Sequence, residues 1–420
     1  MEASTIALII IGVLLVLYIT EFFPIATTSI IGCLALAIFG VIPFNTAFAG
    51  FGNDMVFLMA GMIIVGNALF ETGIAKKIGE AIISQVGDNE KLFVIALVVA
   101  TAIPSAFLSN TAAVAMMLPV AGSAIKASAG KFSTKKSFMF VGIAGVAGGG
   151  LTLIGSTPQI IAQRNLLDSG YQGMSFFELA YFGLLILVLL IVYYIVFGKF
   201  IEKRIFNFEE VISDVVEEDK IEYSLIKQAI AVIVLVLCII GFMADIWSLG
   251  VVAMVGASLL VVTGCVSQAN ALKKMDWTTI IVIACSLGIS AGLDQSGAGE
   301  LIARTTVNIL PTDVSVWFIC AALLLITIVL SNFMSNTATA ALLIPISMSM
   351  AIQLGIDVKS LVMVIVIGAN ISYATPISTP PMTMTLSVGY RFLDYLKVGG
   401  LFTLFAYILV VLTMPLFLNI

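Results

Sequence analysis

The chain of 420 residues contains no histidine, and Asp, Glu, Lys and Arg together make up only 10% of it. Without histidine it lacks the side chain whose ordinary pKa lies nearest neutrality. It also lacks the usual base of a serine or cysteine nucleophile. So little charge beside 61% apolar residues excludes an ordinary soluble domain. The five cysteines, Cys33, Cys238, Cys265, Cys285 and Cys320, stand singly in apolar segments without CxxC spacing, so they read as packing residues rather than a disulfide framework or a zinc site. Residues 1–20 lack a positive leader and a small-residue cleavage site, and read as a retained first span. The composition leaves an all-α polytopic membrane protein, with the lipid bilayer as a partner and no nucleic-acid partner expected.

Polar residues in this apolar chain gather in two matching runs, Pro104-Ser105-Ala106-Phe107-Leu108-Ser109-Asn110-Thr111 and Leu330-Ser331-Asn332-Phe333-Met334-Ser335-Asn336-Thr337. Each sets a serine four residues ahead of a Ser-Asn-Thr triad, and a proline, Pro119 or Pro345, follows eight residues after the threonine.

Spans begin near Thr5, Pro24 and Met55, and an amphipathic segment from Ile74 to Val86 precedes the first run. The stretch from Leu92 to Ile125 reads as a re-entrant helical hairpin, because a polar turn at membrane depth is tolerated only when it is buried in protein or faces a cavity. The next span is interrupted at Gly148-Gly149-Gly150, read as a packing feature, and at Gly155-Ser156-Thr157-Pro158; a further span covers Phe176 to Phe197. Lys199 to Ser224 holds 12 charged residues, eight of them acidic, and reads as a solvated linker with no further function. The same order then returns, with a second break at Pro376 and Ser378-Thr379-Pro380-Pro381. Residues 1–198 and 225–420 thus form two repeats around the linker 199–224, with hairpins at about 92–128 and 313–353.

A shift of 222 to 226 residues lays Glu21 on Asp245, Gly40 on Gly264, Thr72-Gly73 on Ser296-Gly297, Ser109-Asn110-Thr111 on Ser335-Asn336-Thr337 and Ser156-Thr157-Pro158 on Ser378-Thr379-Pro380. Five crossings per half make the second repeat inverted relative to the first. That count collects 16 of the 19 Lys and Arg on one side, which the positive-inside rule makes cytoplasmic. Both termini are then expected outside and the linker in the cytoplasm.

Inverted repeats with hairpins and broken helices are the architecture of secondary transporters. Free N–H groups at helix N-termini make an anion site without a cationic side chain. Thr111 and Thr337 are expected to open the second hairpin arms, with the Ser and Thr of each Ser-Thr-Pro run capping the second half of its broken span. Ser105 and Ser109, or Ser331 and Ser335, together with Asn110 or Asn336 and free carbonyls, suit an uncharged oxygen cage for Na⁺ beside the anion. A buried serine nucleophile is disfavoured, since no His exists and the hairpins place no Lys near their turn serines, Lys126 standing at the far end of the first. The near-membrane carboxylates Glu21, Asp54, Glu71, Asp245, Asp276 and Asp294 read as span-end residues, with Glu71 and Asp294 the two to suspect in a proton-coupled exchanger.

At these motifs the chain resembles the divalent anion/sodium symporter family, the SLC13-like carriers of dicarboxylates, citrate and sulfate, across both repeats. The resemblance implies a homodimer in the plasma (inner) membrane that works by an elevator motion on a small dianionic substrate, most plausibly a C4-dicarboxylate, with Na⁺ as the coupled ion. Carriers of sulfate or citrate, and anion/anion or Na⁺/H⁺ exchangers of the same superfamily, are the alternatives. The implied anion contacts are Asn110, Thr111, Ser156, Thr157, Ser335, Asn336, Thr337, Thr379 and Pro380. One implied sodium site falls on Ser105, Ser109, Asn110 and Gly155, the other on Ser331, Met334, Asn336 and Ser378. The sequence departs from the family where an Asn is usual after the prolines, with Gln159-Ile160 in one half and Met382 in the other, and the extra N-terminal span of several members is expected to be absent.

Overall fold

A computed structural model of the chain describes residues 2–20, 22–74, 77, 86, 89–128, 131–206, 224–244, 247–298, 301, 315–376 and 378–418. Linker residues 207–223, most of the amphipathic segment 75–85, residues 302–314, Glu21 and Asp245 lie outside the described residues, as does the side chain of Asp294.

The first half contributes α1 (Ala3–Thr20), α2 (Ile25–Ile38), α3 (Phe44–Phe48), α4 (Asp54–Glu71), α5 (Glu90–Ser105), α6 (Asn110–Ala127), α7 (Thr134–Gly149), α8 (Thr157–Asp168) and α9 (Ala180–Arg204). The second contributes α10 (Leu225–Ala244), α11 (Leu249–Val262), α12 (Gln268–Lys273), α13 (Trp277–Ser296), α14 (Val316–Phe333), α15 (Asn336–Leu354), α16 (Val358–Asn370), α17 (Pro380–Met384) and α18 (Phe392–Phe417). From α10 to α17 each helix starts 222 to 226 residues after its counterpart. Matching left-handed glycines mark matching turns: Gly40 and Gly264 at φ +72° and +70°, Gly73 and Gly297 at +75° and +71°. Only glycine adopts that conformation without strain.

Six of the described helical segments are long and apolar enough to cross a bilayer, among them Ala180–Glu202, Leu225–Phe242 and Phe392–Phe417. Polar residues at helix starts satisfy N–H groups that have no partner within the helix. Asn89 accepts from Lys91 N and Leu92 N at the start of α5, and Asp357 accepts from Ser360 N at the start of α16. Lys136 lies 2.6 Å from Glu90 and 2.9 Å from Glu202, tying the starts of α5 and α7 to the end of α9.

The halves exchange partners. Helix α2 packs on α13, as α11 packs on α4; α8 packs on α15, as α17 packs on α6. Glycines permit the close approaches: a Cβ on Gly61 would strike the backbone of Ala253, and one on Gly148 the backbone of Ala102. Gly148 therefore serves packing, as the sequence indicated. All five cysteines are buried, and Cys33 donates to the carbonyl of Cys285 at 3.2 Å.

Candidate functional site

Each hairpin turns at its Ser-Asn-Thr triad. Ser109 is extended (φ −63°, ψ 139°) and its hydroxyl accepts from Ala112 N at 3.2 Å; Ser335 (φ −66°, ψ 149°) accepts from Ala338 N at 3.1 Å. The serines take the caps, so α6 and α15 open at Asn110 and Asn336, one residue before the threonines expected from the sequence.

Behind each turn lies a buried oxygen corner. Ser105 Oγ is 2.9 Å from Asn110 Oδ1 and 2.5 Å from the carbonyl of Gly145. Ser331 Oγ is 2.8 Å from Asn336 Oδ1 and 2.7 Å from the carbonyl of Ala369. One hydroxyl proton faces two acceptors in each corner, so oxygen lone pairs outnumber the protons available to them. A further bond pins each corner: Thr152 donates to the carbonyl of Ala106, and Thr375 to that of Asn332.

The broken spans correct the alignment by one residue. Ser156 (φ −151°, ψ 151°) precedes α8 as Thr379 (φ −147°, ψ 144°) precedes α17. Hence Ser156 corresponds to Thr379 and Gly155 to Ser378, not Ser156 to Ser378. The side chains also do not cap as expected, since neither makes a bond to its helix start. Ser156 Oγ instead donates to Asn370 Oδ1 at 2.8 Å, while Thr379 Oγ1 is buried without a partner. The first-turn N–H groups of α8 are thus left without a side-chain acceptor.

These segments converge on one cavity of about 360 Å³. Asn110, Thr111, Ser156, Thr157, Ser335, Asn336, Thr337, Thr379 and Pro380, the nine residues suggested for anion contact, all line it. Of those suggested for cations, Ser109, Asn110, Gly155, Asn336 and Ser378 line it, whereas Ser105, Ser331 and Met334 do not. Ser105 and Ser331 sit behind the wall, bonded to the two lining asparagines. Met334 is 1% exposed and packs in the smaller apolar cluster with residues of α2 and α13.

Sequence reasoning missed a further part of the lining, formed by Met59, Met62 and Ile63 of α4 and by Asp276, Thr278, Thr279 and Val282 at the start of α13, of which Asp276 reads from the sequence only as a span-end residue. Asp276 caps α13, accepting from Thr279 N at 3.1 Å and from Thr279 Oγ1 at 2.5 Å. An Asp three residues before a Thr at the head of an apolar run was the available signal. Among the lining residues Asp276 is the one charged side chain. Glu71, one of the two suspected carboxylates, pairs with Lys274 at 2.9 Å and lies outside the lining. A larger crevice of about 620 Å³, lined by Asp54, Gln163, Lys359 and their neighbours, contains none of the motif residues.

Residues 15–368, and again 315–419, match the model of the citrate transporter family. The chain belongs to that family. This agrees, at the level of the family, with the divalent anion/sodium symporter resemblance of the paired motifs. An uncharacterized transporter of Haemophilus influenzae is 30% identical over 409 residues, 93% of this chain and 86% of that relative. The sodium-dependent dicarboxylate transporter SdcS of Staphylococcus saprophyticus is 26% identical over 410 residues, 89% of this chain and 78% of that protein. In fold the chain is similar to the YdaH transporter of Alcanivorax borkumensis, with a TM-score of 0.64 at 12% identity over 91% of this chain and 87% of that one. It is also similar to MtrF of Neisseria gonorrhoeae, with a TM-score of 0.63 at 12% identity over 100% and 95% of the two chains. This citrate transporter family member is a multi-pass membrane transporter and not an enzyme.

Proposed function

We propose that the protein is a Na⁺-coupled symporter of small divalent anions, C4-dicarboxylates foremost. The observation that carries this reading is the duplicated polar lining, in which oxygen corners adjoin a cavity lined by Thr379 Oγ1, which lacks a protein partner, and by the start of α8, whose first-turn N–H groups have no side-chain cap. Donors without partners favour carboxylate oxygens, and corners rich in lone pairs favour a small hard cation. The lining holds no Lys or Arg, so cations must neutralise the dianion, and each ion strengthens the binding of the other. The volume suits a small solute, falling near the lower end of the roughly 300–1,000 Å³ range of ligand pockets. The sodium dependence named for SdcS supports the same choice of ion and substrate class.

The proposal includes inverted halves, 1–198 and 225–420, joined by a cytoplasmic linker, with both termini outside the plasma membrane. It also includes a homodimer in which the hairpins and broken spans move together past α4 and α13 in an elevator motion. Initial uptake of succinate, citrate and sulfate into proteoliposomes tests the coupling when Na⁺ is replaced by choline. Uptake of at least one dianion should collapse in choline; uptake indifferent to Na⁺ sinks the proposal.

A second reading, exchange coupled to protons, draws on one observation: the Asp276 carboxylate faces the cavity. The substitution Asp276→Asn tests it.

A further inference from the structure

Ser156, Thr157, Pro158 and Gln159 form a Ser-x-x-Gln run at the start of α8, the sequence of a capping box. The box does not form. Ser156 turns to Asn370, and Gln159 Nε2 donates to the carbonyl of Gly149 at 2.9 Å. Gln159 is fully buried, yet its Oε1 has no partner. That bond sets the orientation of the amide, since reversing it would bring Oε1 against the Gly149 carbonyl, acceptor against acceptor. A buried acceptor without a donor or cation is costly and points to a missing partner.

The surroundings of this amide belong to the first oxygen corner. A Cβ on Gly149 would collide with the Asn110 amide, and one on Gly155 with the Gly149 carbonyl. Gln159, Gly149, Gly155 and Asn110 are therefore packed as one cluster beside Ser105. In the other half the third residue of α17 is Met382, fully buried, with its sulfur turned toward Gly142. A thioether is a soft ligand, poorly matched to a hard cation that prefers oxygen.

On the Na⁺-symport reading above, we propose that Gln159 Oε1 is an additional oxygen of the first cation site, so that the two corners are chemically unequal. The Gln159 corner binds Na⁺ more tightly, and more selectively against K⁺, than the Met382 corner.

The test titrates the detergent-purified protein with NaCl against KCl at constant ionic strength, reading the melting temperature, and compares wild type with Gln159→Met and Met382→Gln. Gln159→Met should raise the half-saturating Na⁺ concentration about tenfold, the loss expected for one ligand oxygen, over and above the fall in its melting temperature in KCl that follows from the lost bond to the Gly149 carbonyl. Met382→Gln should leave the tighter Na⁺ phase unmoved. In proteoliposomes Gln159→Met should shift the Na⁺ dependence of succinate uptake and spare the maximal rate at saturating Na⁺. A Na⁺ titration of Gln159→Met within about twofold of wild type overturns the inference, as does a variant whose only change is a lower melting temperature in KCl. A wild-type protein that Na⁺ stabilises no better than K⁺ removes the symport reading itself. If Gln159→Met does not fold, Gln159→Asn withdraws the oxygen by one methylene and carries the same comparison.

Discussion

Ser156 Oγ donates to Asn370 Oδ1 at 2.8 Å, joining the helix start of one half to the broken span of the other, and the mirror position has no such bond. The counterpart of Ser156 is Thr379, and the residue 224 before Asn370 is Val146, which offers no side-chain acceptor. This difference explains why Thr379 Oγ1 is buried without a partner. It also makes the two hydroxyls separable by mutation. Ser156→Ala should lower stability by about 0.5–1.5 kcal/mol, the net worth of an intramolecular hydrogen bond. Thr379→Val deletes a hydroxyl that bonds nothing in the protein, so its melting temperature should not fall, while the half-saturating dianion concentration should rise about tenfold. Thermal melts and uptake kinetics of the two variants check the contrast, and a destabilised Thr379→Val contradicts it.

Ser105 and Ser331 hold equivalent bonds, so their alanine variants should be equivalent in kind. Each should raise the Na⁺ concentration needed for half-maximal uptake by about tenfold, because an asparagine oxygen and a carbonyl lose their shared hydroxyl. The dianion half-saturation at saturating Na⁺ should move less. A variant that weakens the dianion alone would assign its serine to the anion.

Gly149 and Gly12 give a steric contrast. A methyl at Gly149 meets the Asn110 amide, whereas at Gly12, on the exposed face of α1, nothing lies within 4 Å. Gly149→Ala should abolish uptake while the protein still reaches the membrane. Gly12→Ala should transport normally and gain up to about 1 kcal/mol of stability from helix propensity. Surface expression and uptake of both, measured in the same cells, decide this.

The duplication, the two turns and most of the lining were legible in the sequence, because polar residues in an apolar chain are costly enough to be few and placed. The two paired runs therefore stood out without an alignment. The register at α8 and α17 was misread by one residue because Ser-Thr-Pro repeats literally, whereas the backbone equates Ser156 with Thr379. Capping was assigned to the wrong hydroxyls, since propensity cannot show that Asn370 lies beside Ser156. The part of the lining from α4 and α13 was missed because Met59, Met62 and Val282 are ordinary span residues until the fold brings them to the same cavity as the hairpin turns.

Asp276 separates the two coupling schemes. Asparagine caps a helix about as well as aspartate, so Asp276→Asn should keep α13 intact and remove the one charge in the lining. Na⁺-driven uptake should persist, with a lower dianion half-saturation as repulsion is relieved. Loss of transport together with loss of its response to an imposed pH gradient would instead favour proton exchange.

In the proposed mechanism two oxygen corners hold cations beside one dianion. The Na⁺ dependence of the initial rate of radiolabelled succinate uptake, in proteoliposomes at clamped membrane potential, tests it most directly. Two corners that fill together give a sigmoidal dependence, and Ser105→Ala, which weakens one of them, should move its midpoint about tenfold upward. A rate independent of Na⁺, or a midpoint that the substitution leaves unchanged, would contradict it.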